Sequence, residues 1–291
     1  MNNHKFIITS DSTGDLPDTY VKAHDMEKAR MIYTLDGVDY DASDCNEETS
    51  KRFYDLLRTG VLPKTSMVNP NQYRELFLKH IEQGRDILHM GLSSTLSPSI
   101  NGAKLVAEEL MEEYPERKII VIDSLGASLG LGALIYFAIG MQEEGETLED
   151  TGNYIKSLVP KLCHYFIVDD LFHLKRSGRI SKASALVGTM LSVKPVMNIA
   201  EDGGLKPIDK IRGRKQAIDY IIKKYEEKGK DEENEIIFIC HADCAEDASY
   251  IEDSMKKLYG IKNFFISNIG PIIGNHAGPG TLAIFFIGDS R

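Results

Sequence analysis

Short runs of apolar residues alternate along the chain with longer stretches in which apolar residues recur every three or four positions. The first pattern is typical of strands and the second of amphipathic helices. Lys118 to Asp123 is apolar almost without interruption, as expected for a strand buried on both faces of a parallel sheet. Ser128 to Gln142 is apolar almost all round, which predicts a helix buried on most sides.

This alternation indicates an α/β protein made of two α/β domains, with a parallel sheet in the N-terminal domain. In the second half, Val193 to Ile199 and Leu205 to Ile211 flank a turn, a pattern that predicts an antiparallel hairpin and therefore a mixed sheet. No linker rich in Pro, Gly or Ser separates the halves, so we place the domain boundary near residue 160, with domains 1–160 and 161–291. Thr151 to Leu162 is predicted as the connecting helix.

Composition narrows the class of protein. The chain has 291 residues, enough to bury a core without disulfides or structural metals. Its net charge of −10 argues against a nucleic-acid partner, because surfaces that bind nucleic acid are basic. The low cysteine content, the lack of a signal-peptide pattern and a longest apolar stretch of 13 residues favour a cytoplasmic protein without a transmembrane segment.

The familiar catalytic motifs are incomplete. No phosphate-binding G-x-x-x-x-G-K-[ST] loop occurs, which argues against a nucleotide site. The segment from Gly91 to Thr95 begins like a nucleophile elbow around Ser93, but Thr95 stands in place of the closing glycine. A Ser/His hydrolase acting on a lipid or small ester remains the alternative function, with Ser93 and His276 as its pair and Asp11 or Asp123 as the orienting carboxylate.

A metal site is also incomplete. Cys240, His241 and Cys244 could supply three ligands, but no second Cys/His cluster completes a set of four. We expect instead a core cysteine at position 240 beside a surface histidine at 241. The sequence therefore predicts neither a metal ion nor a cofactor.

Small hydroxyl residues gather where predicted strands end. In a parallel sheet such ends converge on a ligand crevice, and neutral donors beside helix N-termini suit a carboxylate or another anion. Each set could instead serve as a helix cap. The sets are Ser10 to Thr13, Thr65-Ser66, Ser93-Ser94-Thr95 with Ser97, and Asp123-Ser124.

Two further features suggest a binding surface. Three glycines and a proline between Gly274 and Gly280 predict a tight turn that carries His276, as a functional or a solvent-facing residue. Residues 170–215 contain ten Lys/Arg and four Asp/Glu, a net charge of +6 within an acidic chain. That region is either a docking face for an anionic partner or a solvated face, and Ser181 to Leu191 within it is predicted as a helix of small residues.

In order and spacing, these segments resemble the DegV family of bacterial fatty-acid-binding proteins over nearly the whole chain. The matching blocks are Ile8 to Pro17, Lys64-Thr65-Ser66 with Asn69-Pro70, Leu92 to Ser97, Val121 to Ser124, Leu174 to Ser181 with Lys194-Pro195, Lys210 to Gly213, and Ile273 to Thr281.

The resemblance implies a binding subunit without catalysis of its own. It would hold one long-chain fatty acid in a closed tunnel between the two domains, with the helix Ser128 to Gln142 lining part of it. It would present the carboxylate to the separate catalytic subunit of an ATP-dependent fatty acid kinase, which makes acyl phosphate. A transient contact with a membrane surface is compatible with such a role.

On matching positions, Thr65, Ser93 and His276 are implied to hold the carboxylate. The remaining implied residues are Ser66, Ser94 and Ser97 in the supporting head-group loop, and Arg179 and Arg212 on a partner-facing or head-group-supporting basic face.

The sequence departs from the family pattern at two places. After Ser97 the family usually has Gly-Thr-aromatic, whereas this chain has Pro98, Ser99 and Ile100. After His276 it usually has Thr, whereas this chain has Ala277. Both departures fall beside the implied carboxylate site and bear on its geometry.

Overall fold

The computed structural model describes residues 6–42, 47–169, 171–180, 192–230 and 234–291. The predicted helix Ser181 to Leu191 lies outside these residues. As predicted, the fold is α/β with a parallel sheet in the N-terminal half and a mixed sheet in the C-terminal half.

The N-terminal half is built on a four-stranded parallel sheet of order β2-β1-β6-β7. Its strands are β1 (Phe6–Asp11), β2 (Glu27–Ala29), β6 (Asp86–Gly91) and β7 (Ile119–Asp123). A small antiparallel sheet of order β4-β3-β5 stands beside it. Its strands are β3 (Ile32–Leu35), β4 (Val38–Asp41) and β5 (Lys64–Ser66).

The C-terminal half is built on a six-stranded sheet of order β10-β9-β8-β13-β11-β12, in which the β11–β12 pair is parallel and the other pairs are antiparallel. The predicted hairpin is confirmed as β9 and β10. The strands are β8 (Leu162–Ile167), β9 (Val193–Ile199), β10 (Leu205–Arg212), β11 (Ile236–His241), β12 (Asn263–Asn268) and β13 (Leu282–Ile287).

Helices connect and cover the strands. The third helix along the chain begins at a capping box between Asn69 and Gln72, with Pro70 as its first residue. Local sequence signals therefore determine where this helix begins. The helices are α1 (Asp18–Ala23), α2 (Glu47–Arg58), α3 (Pro70–Ile81), α4 (Ser99–Glu113), α5 (Leu129–Glu143), α6 (Leu148–Leu158), α7 (Phe172–Arg176), α8 (Arg214–Lys228), α9 (Ala245–Tyr259) and α10 (Pro271–Ala277).

Helix α5 lies between the two large sheets, and its apolar residues join one core with β1 and β6 on one side and β11 and β13 on the other. Helices α3 and α4 cover the outer face of the N-terminal sheet, and α8 and α9 cover the outer face of the C-terminal sheet. This position suits a helix without a polar face, because most of its surface is removed from water.

Two expectations about local structure were wrong. The connecting helix ends at Leu158 rather than Leu162, because Pro160 interrupts it and Leu162 already belongs to β8. His276 lies in the last turn of α10 rather than on a tight turn. Pro271 starts that helix at its first position, and Gly278, with φ of 86°, ends it.

Candidate functional site

A cavity of about 290 Å³ lies between the two halves of the chain. Its wall is mostly apolar and includes Met31, Leu92, Phe166, Ile199, Ile273 and Phe285. Cavities of this kind and size hold small molecules that are largely apolar. Residues from both halves line it, so the expected space between two domains is present, while the domain boundary near residue 160 stays a prediction.

The cavity wall also carries polar groups. Thr65 on β5 and His276 on α10 both line it, and Thr65 Oγ1 lies 3.1 Å from His276 Nε2. Ser66, Ser97 and Arg179 line the same cavity. The structure therefore brings five of the eight implied residues to one cavity, although they come from segments far apart in the sequence.

Helix α10 is fixed against the N-terminal half by two hydrogen bonds. The Asn275 side chain donates to the Pro63 carbonyl at 3.0 Å, and the Tyr54 hydroxyl donates to the Ile269 carbonyl at 2.6 Å. Gly274 allows this close approach, because a Cβ there would lie 2.3 Å from the Tyr54 hydroxyl oxygen. His276 is thus held at the cavity by a segment that is anchored at two points just before it.

His276 is a neutral imidazole at neutral pH. Burial, together with the nearby charges of Arg179 and Arg176, lowers its pKa to about 4. Its Nδ1 is buried without a hydrogen-bond partner among the described residues. Such a ring beside a hydroxyl and a guanidinium offers donors to an anion, and the anion would in turn raise the pKa of His276.

The two implied arginines are separated by the fold. Arg179 donates through Nη1 to the Ser177 carbonyl at 2.6 Å and through Nε to the Leu96 carbonyl at 3.4 Å, which directs it to the cavity wall. Arg212 is exposed at the end of β10. A head-group role thus fits Arg179, and a partner-facing role fits Arg212.

Ser93 takes a different position from Thr65 and His276. It is fully buried, and its hydroxyl donates to the Gly203 carbonyl at 2.9 Å, at the tip of the β9–β10 hairpin. Gly203 has φ of 81°, and a Cβ there would collide with Ser93 Oγ, so this contact requires glycine. Ser93 ties the two halves together beside the cavity, and it is not among the residues that line it. The backbone N–H of Ser94 faces the carboxylate of Asp123 at 3.3 Å.

These positions leave the hydrolase alternative without an assembled triad. The Ser93 hydroxyl donates to the Gly203 carbonyl, and His276 Nε2 is hydrogen-bonded to the Thr65 hydroxyl. The Asp11 carboxylate accepts from Thr13 and from the Leu92 N–H, so it orients neither Ser93 nor His276. The Asp123 carboxylate accepts from the N–H groups of Ser94 and Leu125.

Of the four residues that depart from the family pattern, two line the cavity and two do not. Pro98 and Ala277 line the cavity, whereas Ser99 bonds Tyr73 at 2.8 Å and Ile100 is buried in the N-terminal core. Pro98 and Ala277 are therefore the two that act on the shape of the site directly.

Of the segment Ser128 to Gln142 that is predicted to line the tunnel, only Ser128, the residue before α5, lines the cavity, so α5 itself does not form its wall. Ser128 lines the cavity together with Ala127, while Leu131, Leu134 and Ile135 pack in the solid core between the sheets. Cys240 is buried as expected and also lines the cavity, but His241 is buried rather than on the surface. In the described ranges, no group of three or more Cys, His, Asp or Glu side chains could hold a metal ion.

Sequence reasoning missed His164 and most of the apolar wall. Nothing distinguishes a cavity-lining Phe166 or Ile273 from a core residue in the sequence, because both are apolar and buried. Among the helices of the described residues, none has the length and apolar content needed to cross a membrane.

A two-domain α/β fold with a largely apolar cavity at the domain junction places this chain in a known class of structures. The chain belongs to the DegV family: the family model described as "Uncharacterised protein, DegV family" matches residues 5–289. A DegV domain-containing protein of Clostridium perfringens is 39% identical over 287 residues, covering 99% of each chain.

Solved structures of DegV proteins share the fold. A fatty-acid-binding DegV family protein from Thermus thermophilus superposes with a TM-score of 0.85 at 27% identity, covering 98% of this chain and 99% of its own. DegV of Bacillus subtilis, described as a fatty acid binding protein, has a TM-score of 0.82 at 26% identity, covering 99% of this chain and all of its own.

Proposed function

We propose that this protein binds one long-chain fatty acid in the cavity between its halves. We further propose that it presents the carboxylate to a separate ATP-dependent fatty acid kinase subunit, which forms the acyl phosphate. The observation that carries the first proposal is an apolar cavity with Thr65, His276 and Arg179 gathered on its wall. The fatty-acid-binding relatives from Thermus and Bacillus support the same ligand class.

The energetics suit a fatty acid. Burying a chain of roughly sixteen carbons at ~0.8 kcal/mol per CH₂ contributes on the order of 10 kcal/mol before the costs of binding. Each hydrogen bond to the charged carboxylate adds about 1.5–3 kcal/mol. The tail therefore supplies most of the affinity, and the polar residues supply the orientation.

Orientation is what a kinase partner requires, because the carboxylate must be placed within attack distance of the transferred phosphoryl group. We assign Thr65 and His276 to the carboxylate, Arg179 to its charge, and Ser66 and Ser97 to the surrounding loop. Ser93 and Ser94 would act through the loop they hold, and the direct contact of Ser93 with the carboxylate that the family resemblance implies is the untested alternative. Arg212 would meet the kinase.

Native mass spectrometry of the protein purified from bacterial cells tests the ligand. A bound mass equal to a long-chain fatty acid that disappears after delipidation, and returns on adding octadecanoic acid, is the expected result. Protein that is free of lipid and takes up no fatty acid contradicts the proposal. Acyl-phosphate formation from the loaded protein, ATP and a purified fatty acid kinase catalytic subunit tests the second step.

A further inference from the structure

The inner part of the cavity has a polar side chain that the carboxylate site does not use. One face of the C-terminal sheet forms this wall: His164 and Phe166 on β8, Ala283 and Phe285 on β13, and Cys240 on β11. His164 pairs with Phe285 in the sheet register, and the two rings meet edge to face with centroids 5.3 Å apart. An imidazole therefore interrupts an otherwise apolar surface.

Both ring nitrogens of His164 are buried, and neither has a hydrogen-bond partner among the residues that the structure describes. The side chain is 2% exposed, and the ring lies against the backbone of Gly126 and Gly130. Burial holds the pKa of His164 well below its ordinary value, so the ring is neutral and carries one donor and one acceptor. Buried polar atoms in proteins nearly always have partners, so this pair calls for one.

The neighbouring polar groups are already satisfied by one another. Ser128 and Cys240 line the same wall, and Ser128 Oγ lies 3.2 Å from Cys240 Sγ. Ser128 also donates a hydrogen bond to the buried carboxylate of Asp15. Cys240, Ser128 and Asp15 thus form a hydrogen-bonded series that does not include His164.

The sheet register gives the depth of His164 in the cavity. Thr281 Oγ1 lies 3.0 Å from the carbonyl of Ala277, next to His276, which sets the level of the carboxylate site. Phe285, the register partner of His164, is four residues further along, or about 13 Å at the rise of a strand. An acyl chain that runs along β13 from the carboxylate site, advancing roughly 1.2 Å per bond, would bring about its tenth to twelfth carbon level with His164.

We propose that His164 forms a second polar subsite, which binds a hydroxyl or carbonyl oxygen carried near the middle of the acyl chain. The preferred ligand class is then an oxygenated long-chain fatty acid rather than an unsubstituted one. The inference rests on the proposed function, because it presumes that a fatty acid carboxylate is held at Thr65 and His276. A plain chain would leave both nitrogens unpaired, whereas a mid-chain hydroxyl can donate to one of them or accept from the other.

A set of isomers tests this on the unmodified protein. The probes are octadecanoic acid and its monohydroxy derivatives with the hydroxyl next to the carboxyl group, at about the tenth to twelfth carbon, or at the terminal carbon. We expect the mid-chain isomer to bind at least as tightly as octadecanoic acid, and the terminal isomer to bind about tenfold more weakly, since its hydroxyl is buried without a partner. Equal weakening of the mid-chain and terminal isomers overturns the proposal.

A histidine substitution locates the effect. In His164→Leu, the mid-chain isomer should lose about tenfold in affinity relative to octadecanoic acid. His89→Leu is the matched control: His89 is also fully buried with an unpaired nitrogen, but it packs between Tyr73 and Phe77 in the N-terminal core. The control should keep the wild-type preference among the isomers.

Binding of octadecanoic acid distinguishes a failure of the second subsite from a failure of the proposed function. Binding of octadecanoic acid to His164→Leu also shows that the variant is folded. If the variant does not fold, the isomer series on the wild-type protein tests the second subsite by itself. Wild-type protein that binds octadecanoic acid but rejects the mid-chain isomer overturns the second subsite alone. Wild-type protein that binds none of the acids overturns the proposed function as well.

Discussion

Thr65 and His276 are separated by 211 positions in the sequence, yet Thr65 Oγ1 and His276 Nε2 lie 3.1 Å apart. One belongs to the edge of the small antiparallel sheet and the other to the last turn of a short C-terminal helix. The contact joins the two halves of the chain at the cavity, so the proposed ligand binding and the interdomain packing depend on the same pair. A conservative change at Thr65 can therefore be measured in both.

Thr65→Val should weaken fatty acid binding about fivefold, because it removes the hydroxyl while keeping the shape and leaves the tail contacts intact. Calorimetric titration with octadecanoic acid measures the change. Thr34→Val is the control, since Thr34 lies on the neighbouring strand β3 and bonds the exposed Asp39 instead. Unchanged affinity in Thr65→Val would remove Thr65 from the carboxylate site.

Ser93→Ala should lower the free energy of unfolding by about 1–3 kcal/mol, because the buried Gly203 carbonyl loses its donor. Affinity for octadecanoic acid should change less than twofold. Denaturant unfolding and titration on the same samples distinguish the two effects, with Ser94→Ala as the half-buried control. A tenfold loss of affinity at unchanged stability would instead establish direct contact between Ser93 and the carboxylate.

Arg179→Gln and Arg212→Gln should affect different steps, because Arg179 lines the cavity and Arg212 is exposed on β10. Arg179→Gln should weaken fatty acid binding about tenfold through the loss of a charged donor. Arg212→Gln should bind normally but slow acyl-phosphate formation with a fatty acid kinase subunit, with a reduced dependence on salt. Loss of fatty acid binding in Arg212→Gln contradicts this division.

Asp15 should make stability depend on pH. Burial raises its pKa to about 7, against hydrogen bonds from Ser128 and the Gly270 N–H and the nearby charge of Lys28, with Asp11 acting in the same direction as burial. The folded protein therefore keeps a proton that the unfolded chain loses near pH 4. The stabilisation from Asp15 is fully present below about pH 4, declines as the pH rises towards 7, and amounts to on the order of 4 kcal/mol.

Asp15→Asn keeps the shape without the titration, so its unfolding free energy should fall less steeply than that of the wild type between pH 4 and 7. Denaturant unfolding at several pH values measures the difference, and Asp36→Asn on an exposed turn should follow the wild-type curve. Parallel curves for Asp15→Asn and wild type would place the pKa of Asp15 near its ordinary value.

The elements predicted best are those with local signals. The capping box at Asn69 starts α3, and the turn residues before Gly204 produce the β9–β10 hairpin. Errors arose where a short signal competed with a longer pattern: the glycines around His276 predicted a turn, but Pro271 nucleates a helix there. Thr65 and His276 were found because polar residues in glycine-rich or strand-end segments are conspicuous.

Contacts between distant segments could not be predicted from the sequence. Ser93 stands beside residues that line the cavity, and its partner Gly203 is known only when the hairpin tip is docked. His164 sits in an apolar strand pattern and resembles a core residue, since the pattern does not reveal that a cavity replaces packed atoms beside it.

The anchoring of α10 also determines when the cavity comes into being. The bonds of Asn275 to Pro63 and of Tyr54 to Ile269 span 212 and 215 positions, so they form only after residues 269–275 have left the ribosome. The emerging N-terminal half carries Thr65 but has neither His276 nor the sheet wall. Under the proposed function, a fatty acid would bind only after translation of both halves, and it would then stabilise the contact between the halves rather than either half alone. Supply of the ligand would therefore set how long the finished protein survives proteolysis.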